Sequence, residues 1–313
     1  MYLCSAHSIP KAIGVYKLNC TLIDCYIITK HIKVIVAMRF MKLLSLAVVA
    51  VLASTSCGTR DEATRMLVLY YSQSSNTKAV AEEIATRLGA DIEEIVPTMP
   101  YDGDFQATID RCKRDRELGV LPAIRPLKAD IEEYDYVFIG YPIWFGTYAP
   151  PIAALLSEVD LGGKKVVPFC TFGSGGLESS IDDLRCQEPN AELLPGYGVR
   201  AARMAAMPQE VEQWLKACGL IEGEYVRPAD FAEQHPVSDE EAALFDAAVG
   251  GYPMIHAKAT MAASRATPGG VEYLFTAVDL PREDNPDMPP AGEMKVYVTV
   301  AEGGAPEFTR VVR

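Results

Sequence analysis

Histidine is scarce in this chain of 313 residues. The four histidines are His7, His31, His235 and His256, so residues 66–223 contain none. A Ser-His-Asp hydrolase and a His-ligated zinc site both depend on an imidazole. Those two classes are therefore excluded for this stretch, and Ser174 within it is interpreted as a loop residue and not as a nucleophile.

Cysteine pairs at metal-binding spacing are absent as well. Beyond residue 57 the cysteines are Cys112, Cys170, Cys186 and Cys218, and no C-x-x-C motif occurs. We expect none of the four to be catalytic, and we expect Cys170, inside an apolar run, to be a small buried hydrophobe. After export these thiols would allow three disulfide pairings, and the sequence favours none of them.

Positive charge is sparse beyond the N-terminal segment. The formal net charge is −13, yet residues 1–57 carry six Lys and Arg against one Asp, so the remaining chain has a net charge of −18. An acidic surface disfavours nucleic acid and anionic membranes and favours basic protein partners, although solubility alone explains it equally well. The length and the 49% hydrophobic content predict two packed domains.

The apolar run at residues 43–53 is too short to cross a bilayer. It contains one serine and follows two basic residues, which is the pattern of a signal peptide. Cys57 lies where a bacterial lipoprotein would be cleaved and lipidated, and plain secretion is the alternative because Ser54 replaces the usual leucine. We predict an exported lipoprotein on the periplasmic or surface side of a bacterial envelope, with residues 58–65 as its tether.

The residues before this run have no globular pattern. Because a signal peptide normally has a short basic start, Met38 or Met41 is the expected first residue in the cell. The alternative is that residues 1–37 form an amphipathic arm. Residues 1–57 are thus predicted to be an upstream segment and a signal peptide.

A strand, a hydroxyl-rich loop and a helix follow one another from residue 66. Residues 66–71 have the pattern of a strand buried on both faces, and residues 78–88 have apolar residues at helical spacing. Small polar side chains beside a helix N-terminus can enclose a phosphate, because the first N–H groups are unpaired; an ordinary helix cap is the alternative. The candidate phosphate ligands are Ser72, Gln73, Ser74, Ser75, Asn76 and Thr77.

A second buried strand, residues 134–140, leads into a loop rich in aromatics and prolines. A planar ring system needs a flat apolar platform with polar groups at its edge. The alternative is that Trp144 and Phe145 pack into the core. The candidate ring-binding residues are Pro142, Ile143, Trp144, Phe145, Gly146, Thr147 and Tyr148.

A third strand, starting at residue 164, ends in a glycine-rich turn before a helix at residues 177–184. Glycine lets the backbone approach the edge of a ligand. In an open parallel sheet, ligands bind beyond the carboxyl ends of the strands where the strand order reverses, so the three loops are expected to form one site. The candidate residues of the third loop are Thr171, Phe172, Gly173, Ser174 and Gly175.

Together these loops resemble the flavodoxin family, whose phosphate loop has the form Ser/Thr-x-Ser/Thr-Gly-x-Thr. Here Ser75 replaces the glycine of that form. Residues 142–150 and 168–176 look like the second and third flavin loops of a flavodoxin subgroup, and the segment from Pro100 to Arg116 is similar to it too. The resemblance covers residues 66–220 and implies an FMN-binding domain over residues 66–223.

The resemblance implies an α/β fold, a five-stranded parallel sheet of order 2-1-3-4-5 with helices on both faces. Its second strand would be residues 91–96, its short fifth strand residues 191–194 leading on to residue 198, and its closing helix residues 208–220. It also implies a role for each group of residues. Ser72, Ser74, Asn76 and Thr77 would hold the phosphate, Trp144 and Tyr148 would flank the ring, and its edges would be shaped by Gly146, Thr147, Thr171, Phe172, Gly173 and Gly175.

The pattern changes after residue 223. A helix to residue 248 is predicted, with Ser238 as N-cap and Glu241 completing a capping box. A helix followed by an antiparallel meander resembles the cystatin-like fold, but the inhibitory loop motif of that family is degraded here. We expect residues 224–313 to form a small α+β domain that packs on the first domain or recruits a partner. Its predicted strands are residues 255–263, 270–278, 294–301 and 307–312, with a surface loop at residues 280–292.

The predicted function is an FMN-binding flavoprotein that transfers electrons through the flavin, as a carrier or a flavin-dependent reductase. The expected partner of a carrier is a redox protein. One alternative is an oxidoreductase of the NAD(P)H-dependent quinone or nitro reductase kind, whose partners would be NAD(P)H and a quinone. The other is a flavin-free binding protein on the same fold.

Overall fold

The structure is a computed structural model that describes residues 64–101, 104–253, 255–281 and 292–313. The predicted signal peptide, Cys57 and most of the tether lie outside these residues, as does most of the predicted loop at residues 280–292. In the described ranges, no helix combines the length and the apolar character that a bilayer crossing requires.

Apolar runs of the first half form a twisted parallel sheet. Its strands run in the order β2-β1-β3-β5-β6, and β7 continues alongside β5 where β6 ends. The predicted order 2-1-3-4-5 is confirmed, because β5 is the fourth strand of the prediction and β6 and β7 together are the fifth. The strands are β1 (Met66–Tyr70), β2 (Asp91–Glu94), β3 (Tyr136–Trp144), β4 (Thr147–Tyr148), β5 (Lys165–Phe172), β6 (Glu192–Leu193) and β7 (Tyr197–Arg200).

Helices cover both faces of this sheet. Leu67 and Leu69 enter one core and Val68 and Tyr70 enter the other, which explains why β1 is apolar throughout. Two short 3-10 helices, Ile131–Glu133 and Ala201–Arg203, complete this half. The α-helices are α1 (Asn76–Leu88), α2 (Phe105–Leu118), α3 (Pro150–Glu158), α4 (Leu177–Gln187) and α5 (Met207–Ala217).

Two strands of the parallel sheet extend beyond their predicted ends, whereas β2 stops at Glu94, two residues before its predicted end. β3 continues past residue 140 to Trp144, because it keeps pairing with β5 as far as Pro142 and then turns into a hairpin with β4. The fifth strand, expected at residues 191–194 and on to residue 198, is divided into β6 and β7, and β7 carries it to Arg200. Both extensions bring side chains to the carboxyl edge of the sheet.

The C-terminal residues form a five-stranded antiparallel sheet in the order β12-β11-β10-β9-β8. The helix α6 (Asp239–Val249) begins with the predicted capping box between Ser238 and Glu241, and its Phe245 packs on Phe275 with the ring centroids 5.3 Å apart. The two-residue strand β8 was not predicted. The strands are β8 (His235–Pro236), β9 (Ala257–Thr267), β10 (Gly270–Asp279), β11 (Glu293–Ala301) and β12 (Pro306–Val312).

Candidate functional site

Three predicted loops meet beyond the carboxyl ends of β1, β3 and β5. We call residues 72–77 the first loop, residues 142–148 the second loop and residues 173–176 the third loop. Thr77 Oγ1 of the first loop lies 2.8 Å from Thr171 Oγ1 of β5, and Ser179 Oγ of the helix after the third loop donates to the Gly146 carbonyl at 2.7 Å. The second and third loops are in close contact, because a Cβ on Gly176 would lie 2.7 Å from Ile143 Cγ2. The prediction that one edge of the sheet gathers these segments is thus met by the geometry.

The first loop leaves the N-terminus of α1 open. Ser75 lies at the N-cap with φ 67°, in the left-handed region, and no side chain caps the helix. Ser75 therefore has the backbone conformation that a glycine adopts most easily. Beside it, Ser72 Oγ is buried and has no hydrogen-bond partner. An uncapped helix start next to a free hydroxyl is suited to bind an anion.

Two of the predicted phosphate ligands already have protein partners. The Gln73 side chain turns away and donates to the Tyr101 carbonyl at 2.9 Å and to Thr108 Oγ1 at 3.0 Å. Thr77 is 1% exposed and shares its hydroxyl with Thr171. Gln73 thus positions the segment around Tyr101, whereas Ser74 is exposed and Asn76 is half-buried.

The second loop is a tight hairpin rather than an irregular loop. Phe145 and Gly146 form its two-residue turn with φ values of 53° and 85°. Turns of this type need positive φ at both positions, which an aromatic residue adopts at a cost. Ser75 and Phe145 are the two non-glycine residues with positive φ among the described residues, so this backbone strain occurs only in the predicted ligand loops.

Trp144 forms the aromatic platform with residues from two other segments. Its ring centroid lies 5.8 Å from that of Tyr71 and 5.2 Å from that of Tyr101, both in edge-to-face contact. Thr147 pairs with Trp144 across the hairpin and so shares its face, and Thr147 Oγ1 is buried without a partner. This face therefore combines an apolar surface with a free polar atom.

Tyr148 lies on the opposite face of the hairpin from Trp144. It pairs with Ile143 and packs on Tyr141, with the ring centroids 5.8 Å apart. Because adjacent residues of a strand point to opposite faces, a flat ring lying on Trp144 does not also lie on Tyr148. The hairpin geometry therefore disfavours one ring held between Trp144 and Tyr148, and which of the two contacts a ring stays a prediction.

The third loop faces the C-terminal domain. Arg200 Nε donates to the Gly173 carbonyl at 2.9 Å, and the Val311 backbone N–H donates to the Ser174 carbonyl at 2.7 Å. A Cβ on Gly175 would lie 2.1 Å from the Val311 carbonyl oxygen. The close approach predicted for a ligand at Gly175 is thus made by the backbone of β12, while Thr171 and Phe172 are buried in the sheet.

Burial disfavours ionisation of the two tyrosines that contact Trp144. It raises the pKa of Tyr101 to about 12 and the pKa of Tyr71 above its usual range. Burial also raises the pKa of the Cys170 thiol well above its usual value, consistent with the expected buried hydrophobe. Within the part of the chain that the structure describes, no three His, Cys, Asp or Glu residues gather in a cluster able to hold a metal.

Sequence reasoning missed three residues of this region: Tyr71 and Tyr101, which contact Trp144, and Arg200. Tyr71 follows β1 directly and Arg200 ends β7, so both lie at the carboxyl edge of a parallel strand, and that position was the available signal. Arg200 was missed because the fifth strand was expected to lead only to residue 198, two residues before the end of β7.

The fold and the loops define a class of protein. A doubly wound parallel sheet that gathers an open helix N-terminus and an aromatic platform at its carboxyl edge is typical of nucleotide-binding α/β domains. Residues 65–218 match the model of a protein family described as flavodoxin. This part of the chain, just under half of its length, is therefore a flavodoxin-family domain.

Similar solved structures include two candidate flavoproteins from Bacteroides. The one from Bacteroides eggerthii is 29% identical over 50% of this chain and 98% of its own, with a TM-score of 0.44. The one from Bacteroides uniformis is 25% identical over 49% and 98%, with a TM-score of 0.43. A Lactobacillus acidophilus flavoprotein in complex with FMN is 26% identical over 49% and 99%, with a TM-score of 0.40. A comparison with curated proteins found no match.

Proposed function

We propose that the domain of residues 66–223 binds FMN and that the protein transfers electrons through it. The observation that carries this proposal is the pair of buried hydroxyls without partners, Ser72 Oγ and Thr147 Oγ1, on two loops that meet at one sheet edge. A buried polar atom left unpaired costs about 1–3 kcal/mol, so a ligand that pairs with it gains that free energy. The family match of residues 65–218 supports a flavin nucleotide as this ligand.

The phosphate of FMN would bind at the start of α1. No side chain caps this helix, so its first N–H groups are available as donors, and Ser72 Oγ adds a hydroxyl. Ser74 and Asn76 flank the same turn. A helix N-terminus favours negative charge without help from an arginine.

The flavin ring would lie against the Trp144 face of the second loop. Trp144 is held edge-on by Tyr71 and Tyr101, and Thr147 Oγ1 offers a polar contact for the ring edge. Bound FMN would supply the redox chemistry, while the chain binds it, orients it and shields one face from water. The net charge of −18 beyond residue 57 favours a basic redox protein as the electron-transfer partner.

The decisive experiment is FMN retention by purified residues 58–313. The protein is incubated with FMN, freed of excess, and its visible flavin absorption is recorded. We expect a retained spectrum, and about tenfold weaker binding for Ser72→Ala and for Thr147→Val, since each removes one ligand hydrogen bond. Ser157→Ala is the matched control, because its hydroxyl bonds only to the Ala154 carbonyl within α3.

An unretained flavin would contradict the proposal and favour the flavin-free binding protein. If the flavin is retained, NADH oxidation with benzoquinone separates the two redox classes. A carrier turns over little NADH, whereas a quinone reductase oxidises it rapidly. The nitro reductase alternative is tested in the same way with a nitroaromatic acceptor.

We also propose that Cys57 carries a lipid and anchors the protein to a bacterial envelope. The apolar run at residues 43–53 and the small residues around Cys57 support this assignment. Expression of the wild type and of Cys57→Ser, followed by membrane fractionation, tests it. We expect the wild type in the membrane fraction and Cys57→Ser in the soluble fraction. The same distribution of both proteins would contradict the proposed lipid at Cys57.

The cystatin-like identity of the C-terminal domain stays a prediction. A helix followed by an antiparallel sheet supports it, and a two-residue turn at Pro268 and Gly269 joins the first two long strands, β9 and β10. An experimental structure of residues 58–313 would test it through the wrap of the sheet around α6.

A further inference from the structure

The last strand of the chain lies directly on the third loop. The Val311 N–H donates to the Ser174 carbonyl at 2.7 Å, and the Val311 carbonyl fills the space that a side chain at Gly175 would need. β12 is an edge strand of its own sheet, so its outer backbone groups are available for this contact. The contact joins the C-terminal domain to one of the predicted flavin loops, main chain to main chain.

Arg200 joins the same two parts through its side chain. Its Nε donates to the Gly173 carbonyl at 2.9 Å and its Nη1 donates to the Phe308 carbonyl at 3.1 Å. The guanidinium also lies 4.5 Å from the ring centroid of Phe308 and 4.8 Å from that of Tyr252. Burial lowers the pKa of Arg200, as expected for a cation that is partly removed from water.

Two ion pairs flank this contact. Arg203, whose side chain is 12% exposed, binds Glu307 at 3.0 Å, and Arg310 lies 3.5 Å from Glu178 at the start of α4. Each pair connects the flavodoxin-family domain with β12. Because such partly exposed pairs are individually weak, they orient β12 on the flavodoxin-family domain but contribute little to the stability of the contact.

We propose that β12 and Arg200 clamp the third loop in its ligand-binding conformation, and that Arg200 is a positioning residue for FMN. This inference rests on the proposed function. Three of the four residues of the third loop are glycines, which lose the most conformational freedom on ordering. Because the clamp orders the loop before any ligand arrives, binding does not bear that cost, and affinity rises. The C-terminal domain is thus an internal part of the cofactor site.

The first arm of the test needs no cofactor. Amide hydrogen exchange is measured on the FMN-free chain of residues 58–313 for wild type, Arg200→Met and Arg185→Met. Arg185 is the matched control, because it is an exposed arginine of α4 paired only with Asp182. We expect exchange to rise about tenfold at residues 173–176 and at residues 308–312 together in Arg200→Met, and in neither segment in the control.

The second arm measures FMN affinity of the same proteins. Arg200→Met should weaken binding about tenfold, and Arg185→Met should leave it unchanged. Should Arg200→Met fold poorly, Glu307→Gln is the milder variant, since Arg203 keeps Glu210 at 2.8 Å; about a twofold loss is then expected.

Unchanged exchange at both segments would overturn the clamp. Raised exchange with unchanged FMN affinity would overturn the positioning role of Arg200. A wild type that binds no FMN is a different failure, because it overturns the proposed function and the cofactor role together, while the exchange arm still decides whether β12 orders the loop.

Discussion

The first and third loops occupy equivalent places at the edge of one sheet, yet they differ in whether their polar groups have hydrogen-bond partners within the protein. The first loop keeps a buried hydroxyl unpaired at Ser72 and leaves α1 uncapped. In the third loop, the carbonyls of Gly173 and Ser174 are bonded to Arg200 and Val311. Small residues thus leave room for a ligand in one loop and for a second domain in the other.

The largest effect is expected where the third loop meets β12. Gly175→Ala would place a Cβ 2.1 Å from the Val311 carbonyl, a backbone atom that cannot rotate away. We expect the free energy of unfolding to fall by about 2–3 kcal/mol, measured by urea denaturation. If β12 moves away from the added Cβ, the Ser174 carbonyl loses its bond to the Val311 N–H, and the third loop then has an unpaired backbone group as the first loop does.

The control for this change is Gly251→Ala. No atom lies within 4 Å of a Cβ at Gly251, and its φ is not positive, so stability should change by less than about 0.5 kcal/mol. An equal loss in both variants would show that β12 does not approach the loop closely.

An intermediate effect is expected from two buried serine hydroxyls. Ser180, in the helix after the third loop, donates to the Leu177 carbonyl at 2.8 Å and lies 3.1 Å from the Tyr141 hydroxyl. Ser180→Ala should lower the free energy of unfolding by about 1–2 kcal/mol, since it leaves a buried hydroxyl unpaired. Ser72→Ala removes an already unpaired hydroxyl together with its desolvation cost, so the FMN-free variant should be at least as stable as wild type.

Thermal denaturation of the two FMN-free variants provides the measurement. A clear loss of stability in Ser72→Ala would mean that its hydroxyl already has a partner, and the first loop would then be no freer than the third. Ser72→Ala is thus expected to weaken FMN binding without lowering the stability of the FMN-free protein.

The smallest effect concerns backbone strain in the first loop. Ser75 has φ 67°, so Ser75→Gly should relieve the left-handed strain and stabilise the protein by about 0.5–1 kcal/mol. Ser74→Gly is the control: Ser74 is exposed and its φ is not positive, so the added chain entropy should cost about 0.5 kcal/mol. Chemical denaturation measures the change in the free energy of unfolding of both variants. A lower free energy of unfolding in Ser75→Gly would contradict the strained turn.

Much of the first domain could be predicted from the sequence. Continuous apolar runs predicted β1, β3 and β5 within a few residues. In the C-terminal domain, the capping box at Ser238 predicted the start of α6. These signals are local, because each depends on neighbours within one strand or one turn. The strand order followed from the family resemblance and not from spacing.

Two features of the site could not be predicted. Trp144 and Tyr148 were both expected on the ring, but the register of the hairpin, set by its two-residue turn, separates them. The glycines of the third loop were expected to serve a ligand, but β12 approaches them from more than a hundred residues away in the chain. A glycine in the sequence indicates that another group approaches the backbone closely, but it does not identify that group.

The sequence by itself determined most of the strands and helices and the three loops that follow β1, β3 and β5, since hydrophobic periodicity and turn residues act over short distances along the chain. Only the tertiary structure decided which loop groups stay free and which are bonded. That choice depends on long-range contacts, such as Arg200 with Gly173 and Phe308, whose partners have no common pattern in the sequence.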